Sequence, residues 1–258
     1  MIKKIAILGS TGSIGQSTLD VIYKKRKNFK IVLLTANNNY KKLIKQAKTF
    51  NAQNVIIRNV KHYSKVKHSL KKNKTKVFTG DISLKKIIIS KLDYTMSSIV
   101  GIAGLQFTVD AMKLSKVVAI ANKETIICGW NILSKLQKKY RTEVLPVDSE
   151  HFSIMNLTKN LKDEDIEEII ITASGGPFLK KKLKSLRHIK PKEAIKHPNW
   201  RMGKKISIDS ATLMNKVFEI IEAQRIFKID IKKFEILIHP KSYIHSIIKF
   251  INGQIKIL

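Results

Sequence analysis

The stretch Ile5-Ala6-Ile7-Leu8-Gly9-Ser10-Thr11-Gly12-Ser13-Ile14-Gly15 decides the fold. Its apolar opening is the kind of short run that is buried on both faces of a parallel sheet. Glycines follow at three-residue spacing, and residues 17–23 then read as a helix. A strand passing straight into a helix needs a tight turn. It also leaves the first helical amides available to an anion such as a pyrophosphate. The spacing G-x-x-G-x-x-G differs from the G-x-G-x-x-G dinucleotide fingerprint, so the motif draws its weight from context, a strand before and a helix after. Ser10, Thr11 and Ser13 add hydroxyl donors.

Working outward, residues 30–35, 55–57, 97–100, 117–120 and 143–147 read as strands, with helices between them, 40–50 among these. Strands alternating with helices predict a doubly wound, Rossmann-like parallel sheet over residues 1–150. The second strand ends Thr35-Ala36-Asn37-Asn38-Asn39, without an acid to hold a ribose 2′-hydroxyl. That favours NADP over NAD, with Lys41, Lys42 and Arg58 as the cations available to the extra phosphate.

Residues 151–258 follow a different, α+β pattern. A strand at 169–172 leads into Gly175-Gly176-Pro177. A lysine-rich loop over about 178–205 contains Pro191, Pro198 and one short helix at 191–196. A helix at 211–227 precedes strands at 234–238, 244–250 and 254–258, the last two joined by an Asn252-Gly253 turn.

Three segments carry the chemistry. Asp148 and Glu150 flank Ser149 at the end of a strand, where side chains two apart share one side. With Glu219 they offer hard oxygen ligands of the kind that hold Mg²⁺ or Mn²⁺. Ser174-Gly175-Gly176 is a backbone-donor turn suited to an anion. Ser210, Asn215 and Lys216 supply hydroxyl, amide and ammonium donors to a phosphate, and Glu219 lies four residues after Asn215 on the same helical face. The plain alternatives are an exposed acidic pair and an ordinary Lys216–Glu219 partnership. His197, Trp200 and Met202 sit in the lysine-rich loop as a lid over the site. His239 and His245 read as structural histidines, and Cys128 as buried and inert. Together these features suggest a metal-assisted reductase of a small sugar phosphate.

The chain of 258 residues carries 50 Lys+Arg against 19 Asp+Glu, a formal charge of +31. Such charge raises a nucleic-acid-binding alternative. However, the lysines are spread along the sequence, and the dense clusters at 61–76 and 180–192 carry few aromatic residues for base stacking. Solvated faces explain them better, so no nucleic-acid partner is expected. A single cysteine makes no internal disulfide and fits a reducing cytoplasm. No stretch reads as a signal peptide or a membrane span.

Taken in order, Gly9-Ser-Thr-Gly-Ser-Ile-Gly15, Ala121-Asn-Lys-Glu124, Pro146-Val-Asp-Ser-Glu-His151, Ser174-Gly-Gly-Pro-Phe178, His197-Pro-Asn-Trp200, Met202-Gly203, Asp209-Ser-Ala-Thr212, Met214-Asn-Lys216 and Ile238-His-Pro240 resemble the 1-deoxy-D-xylulose 5-phosphate reductoisomerase family from end to end. The resemblance implies NADPH- and metal-dependent conversion of that sugar phosphate to 2-C-methyl-D-erythritol 4-phosphate for isoprenoid synthesis. It implies Asp148, Glu150 and Glu219 as metal ligands, and Ser149 and Lys123 as substrate contacts. Ser174, Ser210, Asn215 and Lys216 match the phosphate site, and His197, Trp200 and Met202 the closing loop. Thr11, Gly12, Ser13, Ile14, Asn37, Asn38, Asn39, Asn122, Glu124 and Gly203 match cofactor positions, with Lys123, Glu150, His197 and Trp200 taking part in catalysis. The family usually has glycine and a basic residue at Asn37 and Asn38, glycine at Val217 and a small residue at Ile102. It pairs as a homodimer through the central sheet, and it continues into a C-terminal helical domain that is absent here. A catalytically inactive remnant that keeps cofactor or metal binding is therefore the rival expectation.

Overall fold

The computed structural model of the protein describes residues 2–159, 161–197 and 203–258. Strand β1 (Lys3–Leu8) enters the glycine turn and helix α1 (Ser13–Lys24) follows directly. The helix starts four residues before the position that apolar periodicity indicates, because Gly12, in an extended conformation, serves as its N-cap. The alternation continues through β2 (Phe29–Ala36), α2 (Tyr40–Phe50), β3 (Asn54–Ile57), α3 (Tyr63–Ser69), β4 (Lys76–Thr79), β5 (Leu92–Ser97), α4 (Leu105–Leu114), β6 (Ser115–Ile120), α5 (Lys123–Tyr140) and β7 (Glu143–Pro146).

These strands form one seven-stranded sheet in the order β4-β3-β2-β1-β5-β6-β7, and every neighbouring pair is parallel. The order reverses between β1 and β5, which opens a crevice at their carboxyl ends, where ligands bind in such sheets. Residues 5–8, 31–34 and 55–57 are buried, as expected for strands covered on both faces. Two expectations are corrected. The strand expected at 97–100 is β5, which ends at Ser97; Asp93 and Tyr94 broke its apolar pattern, although both lie only half-buried in it. Cys128 is exposed rather than buried.

The contacts divide the chain into Met1–Pro146 and Val147–Leu258. The second unit contains α6 (Ser149–Leu157), β8 (Ile166–Ala173), α7 (Pro191–Ala194), α8 (Lys204–Ala211), α9 (Met214–Phe227), β9 (Phe234–Ile238), β10 (Ser246–Phe250) and β11 (Ile255–Ile257). Its sheet runs β11-β10-β8-β9, antiparallel except between β8 and β9. Ile154 and Ala223 from α6 and α9 pack with Ile169, Ile171, Phe234 and Ile248 of the sheet. The helix expected at 211–227 is two helices. Thr212 ends α8 by turning its hydroxyl onto the Ile208 and Asp209 carbonyls, and Leu213 then takes a left-handed conformation (φ 58°). The lysine-rich segment holds more structure than a loop. Leu183–His188 forms a 3-10 turn, and Lys181 pairs with Glu193 of α7 at 2.6 Å. Among the described residues, no helix is long and apolar enough to cross a membrane.

Candidate functional site

In the first unit, the glycine turn forms a cradle that is closed to side chains. A Cβ on Gly15 would lie 2.4 Å from the Gly9 carbonyl oxygen, and one on Gly9 (φ 82°) would lie 2.8 Å from that of Ser98. The turn is thus packed against the residues that follow β5, at the switch point itself. The first helical bond of α1 runs from the Gln16 amide to the Gly12 carbonyl at 3.0 Å, and no side chain caps this end. The amides of Ser13, Ile14 and Gly15 therefore precede the helical ladder, as an anion site requires. This geometry fits a dinucleotide pyrophosphate. Ser10 does not belong to the cradle: it is fully buried, and its hydroxyl donates to Gln46 Oε1 at 2.8 Å. Asn37, Asn38 and Asn39 follow β2, and Asn39 caps α2 by accepting from the Lys42 amide.

Asn122 caps α5 by accepting from the Thr125 amide at 2.9 Å, and its Nδ2 donates to the Ile99 carbonyl and, at 2.7 Å, to that of Gly101. It thereby ties the turn after β6 to the one after β5. Lys123, nearly buried, and Glu124 open α5.

The second unit brings Asp148, Glu150 and Glu219 together, with one carboxylate oxygen from each lying within 4.8 Å of the others. The local geometry differs from expectation. Asp148 and Glu150 are not on a strand: Asp148 is the N-cap of α6, accepting from the Glu150 amide at 3.3 Å, and Glu150 lies in the first turn. Glu219 comes from α9 and is 1% exposed. The Lys216 ammonium sits between Glu150 and Glu219, 2.5 Å from Glu219 Oε2, and Asn215 Nδ2 donates to Glu219 Oε1.

Burial, followed by repulsion from Glu219 and Asp148, raises the Glu150 pKa from 4.5 to about 7, although Lys216 pulls the other way. Burial works to lower the Lys216 pKa, but Glu219 and Glu150 outweigh it and hold the ammonium above its ordinary value. One ammonium against three carboxylates leaves a negative, oxygen-lined cluster. Such a donor set fits a hard divalent cation.

The turn after β8 and the two ends of α8 carry most of the remaining residues. Gly175 (φ 83°) and Gly176 (φ 69°) turn the chain after β8, and a Cβ on Gly176 would meet the Ser210 carbonyl oxygen at 2.7 Å. The turn is thus seated on the end of α8. Ser174 Oγ lies 3.1 Å from His197 Nε2, and burial lowers the His197 pKa. Gly203 caps α8. Ser149 donates to Glu150 Oε2 at 2.7 Å. Trp200 and Met202 lie outside the described residues. Val217 is 44% exposed, so its side chain leaves the face carrying Glu219 uncrowded.

Two residues beside Asp148 escaped the sequence reading: buried Glu222, which with His151 and Asp148 brings ligand atoms within 4.8 Å of one another, and His151 itself. His151 is fully buried, with Nε2 2.8 Å from the Glu219 carbonyl oxygen and Nδ1 3.7 Å from Asp148 Oδ1. A carbonyl only accepts, so Nε2 carries the proton. The signal was its position three residues after Asp148, which places both on one helical face.

Residues 5–129 match the family model described as 1-deoxy-D-xylulose 5-phosphate reductoisomerase, and residues 144–227 match that of its C-terminal domain. The reductoisomerase of Pelagibacter ubique is 58% identical over 99% of this chain, and that of a Thermoanaerobacter species 46% identical over 98%. The chain spans 66% of the length of either relative. The Zymomonas mobilis reductoisomerase in complex with NADPH superposes with a TM-score of 0.91 at 39% identity, covering all of this chain and 66% of its own. A DOX-P reductoisomerase in complex with NADPH, fosmidomycin and magnesium also gives 0.91, at 34% identity, with 99% of this chain and 66% of its own covered. By the two family models and these relatives, the chain belongs to the 1-deoxy-D-xylulose 5-phosphate reductoisomerase family.

Proposed function

We propose that this chain carries the catalytic core for NADPH- and divalent-metal-dependent conversion of 1-deoxy-D-xylulose 5-phosphate to 2-C-methyl-D-erythritol 4-phosphate, an isoprenoid precursor, in the cytoplasm. The observation that carries the reading is the convergence of Asp148, Glu150 and Glu219 beside Lys216. These acids would hold Mg²⁺ or Mn²⁺. The bound ion would supply Lewis acidity toward the substrate's ketone and hydroxyl oxygens, and NADPH would supply the hydride for the reduction.

The chain's own residues do the rest. Lys216 neutralises Glu150 and Glu219 while the cluster is without an ion. Once those carboxylates are otherwise engaged, its ammonium is available to the substrate phosphate. Ser174, Ser210 and Asn215 add donors there, so binding energy far from the reacting carbons helps position them. Ser149 and Lys123 contact the substrate, while His197 and Trp200 close over it and exclude water. Residues 1–150 act as the NADP domain, in which Thr11, Gly12, Ser13 and Ile14 cradle the pyrophosphate and Asn37, Asn38, Asn39, Asn122 and Glu124 line the rest of the cofactor site; Gly203, at the start of α8, is a further residue for the cofactor. Residues 151–258 act as the catalytic and pairing domain. The sheet side that carries Leu237, Ile255 and Ile257, all well exposed, suits pairing with a second copy. The test is NADPH oxidation by the purified chain with Mg²⁺ and 1-deoxy-D-xylulose 5-phosphate. Turnover that disappears in Glu150→Gln supports the reading, whereas a folded, ion-binding chain without turnover points to the inactive remnant.

A further inference from the structure

Strand β2 ends at Ala36, and the register pairs Ala36 with Ile57 at the end of β3. The Arg58 amide donates to the Ala36 carbonyl at 2.9 Å and the Asn59 amide to that of Asn37 at 3.1 Å. Arg58 thus leaves the sheet beside the end of β2, where a sheet of this topology receives the adenosine ribose. The Asn37–Asn39 turn offers that ribose neither an acid nor a cation. Asn39 caps α2, and Asn38 Oδ1 accepts from Asn59 Nδ2 at 2.7 Å. The Lys42 ammonium is turned back onto Gln16. The guanidinium of Arg58, in contrast, presents its fork to an anion. Nε lies 2.6 Å from Asp81 Oδ1 and Nη2 3.3 Å from Oδ2. The pair borders a cavity of about 410 Å³ lined also by Ser83, Ile102, Gln106 and Phe107.

We propose that Arg58 reads the 2′-phosphate of NADP and sets the preference for NADP over NAD, with Asp81 orienting its fork in the absence of the dinucleotide. The inference rests on the cofactor reading above. A guanidinium accepts a carboxylate and a phosphate in the same bidentate manner. The Arg58 and Asp81 side chains are 38% and 70% exposed, so their mutual hold is weak. A phosphate dianion carries more charge than the carboxylate and displaces it. The 2′-hydroxyl of NAD carries no charge and leaves the ion pair intact.

The experiment is calorimetric titration of the purified chain with NADP⁺ and with NAD⁺, for the wild type and for Arg58→Ala, Arg58→Gln, Asp81→Asn and Lys42→Ala, with circular dichroism to confirm folding. Arg58→Ala and Arg58→Gln are expected to weaken NADP⁺ about 10- to 100-fold and to leave NAD⁺ within about twofold, as loss of a charge-assisted bidentate contact predicts. Asp81→Asn is expected to tighten NADP⁺ alone. Equal weakening of both nucleotides, no change in either, or loss of the preference in Lys42→Ala instead would overturn the role of Arg58 and leave the cofactor reading standing. A wild-type chain that binds neither nucleotide overturns the cofactor reading itself.

Discussion

The two units prepare for anions and cations by opposite means. In the first, the glycine turn works through the backbone. Gly9 and Gly15 permit an approach too close for any side chain, and helix α1 presents amides that need no further ordering. In the second, Asp148, Glu150 and Glu219 hold like charges together, and one lysine compensates them in part. A site made of conformation keeps its form when empty. A site made of charge is destabilised when empty and recovers on binding. Loss of a group in the first unit should therefore lower stability and binding together, while loss of a carboxylate in the second should separate them.

The largest effect tests that separation. Glu150→Gln or Glu219→Gln should reduce turnover by about 10³-fold, as expected when charge stabilisation at the reacting oxygens is lost. Glu150→Gln should also raise the metal-free melting temperature at pH 8, because a repelling buried charge has gone. A fall in both would erase the contrast.

A pH titration sharpens it. The folded pKa of Glu150, about 7, lies above its unfolded value of 4.5. The native state therefore favours the protonated form, and the associated stabilisation is present below pH 4.5 and lost as pH rises to about 7. The shift corresponds to about 3 kcal/mol. Denaturant unfolding with and without Mg²⁺ should show the stabilisation by the ion growing over that window, with about one proton released per ion bound near pH 6. A pH-independent effect of Mg²⁺ would place the ion elsewhere.

In the first unit, Gly15→Ala should cost about 2–3 kcal/mol, the usual penalty of overpacking against unyielding backbone, and should weaken dinucleotide binding in step. Equilibrium unfolding and nucleotide titration together check this. The smallest effect is Asn39→Ala, which removes the cap of α2 and should cost about 1 kcal/mol without any effect on the acidic cluster, as read from the unfolding midpoint.

The same contrast explains what the sequence disclosed. The βα alternation and the glycine turn are local patterns, so the parallel sheet is legible in them, and α2 has the bounds its sequence indicates. Strand β4 is too short, at four residues, to stand out from the lysines around it. In the second unit the residue types of the cluster were legible, but their support was not. Because Glu143–Pro146 precedes them, Asp148 and Glu150 read as strand residues, whereas the Asp148 side chain, by capping α6, starts a helix at Ser149. The break at Leu213 depends on Thr212 bonding backward, which apolar periodicity does not register. His151 acts through a backbone carbonyl 68 positions away in sequence, a contact that only tertiary packing creates.

The most direct test of the account is a Mn²⁺ titration followed by electron paramagnetic resonance, on the wild-type chain and on Glu219→Gln. One bound ion per wild-type chain is expected, competed by Mg²⁺, with binding weakened at least about tenfold in the variant, since ligand loss should cost no less than loss of an outer partner. Full-affinity binding by Glu219→Gln, or no saturable site in a folded wild-type chain, would contradict it.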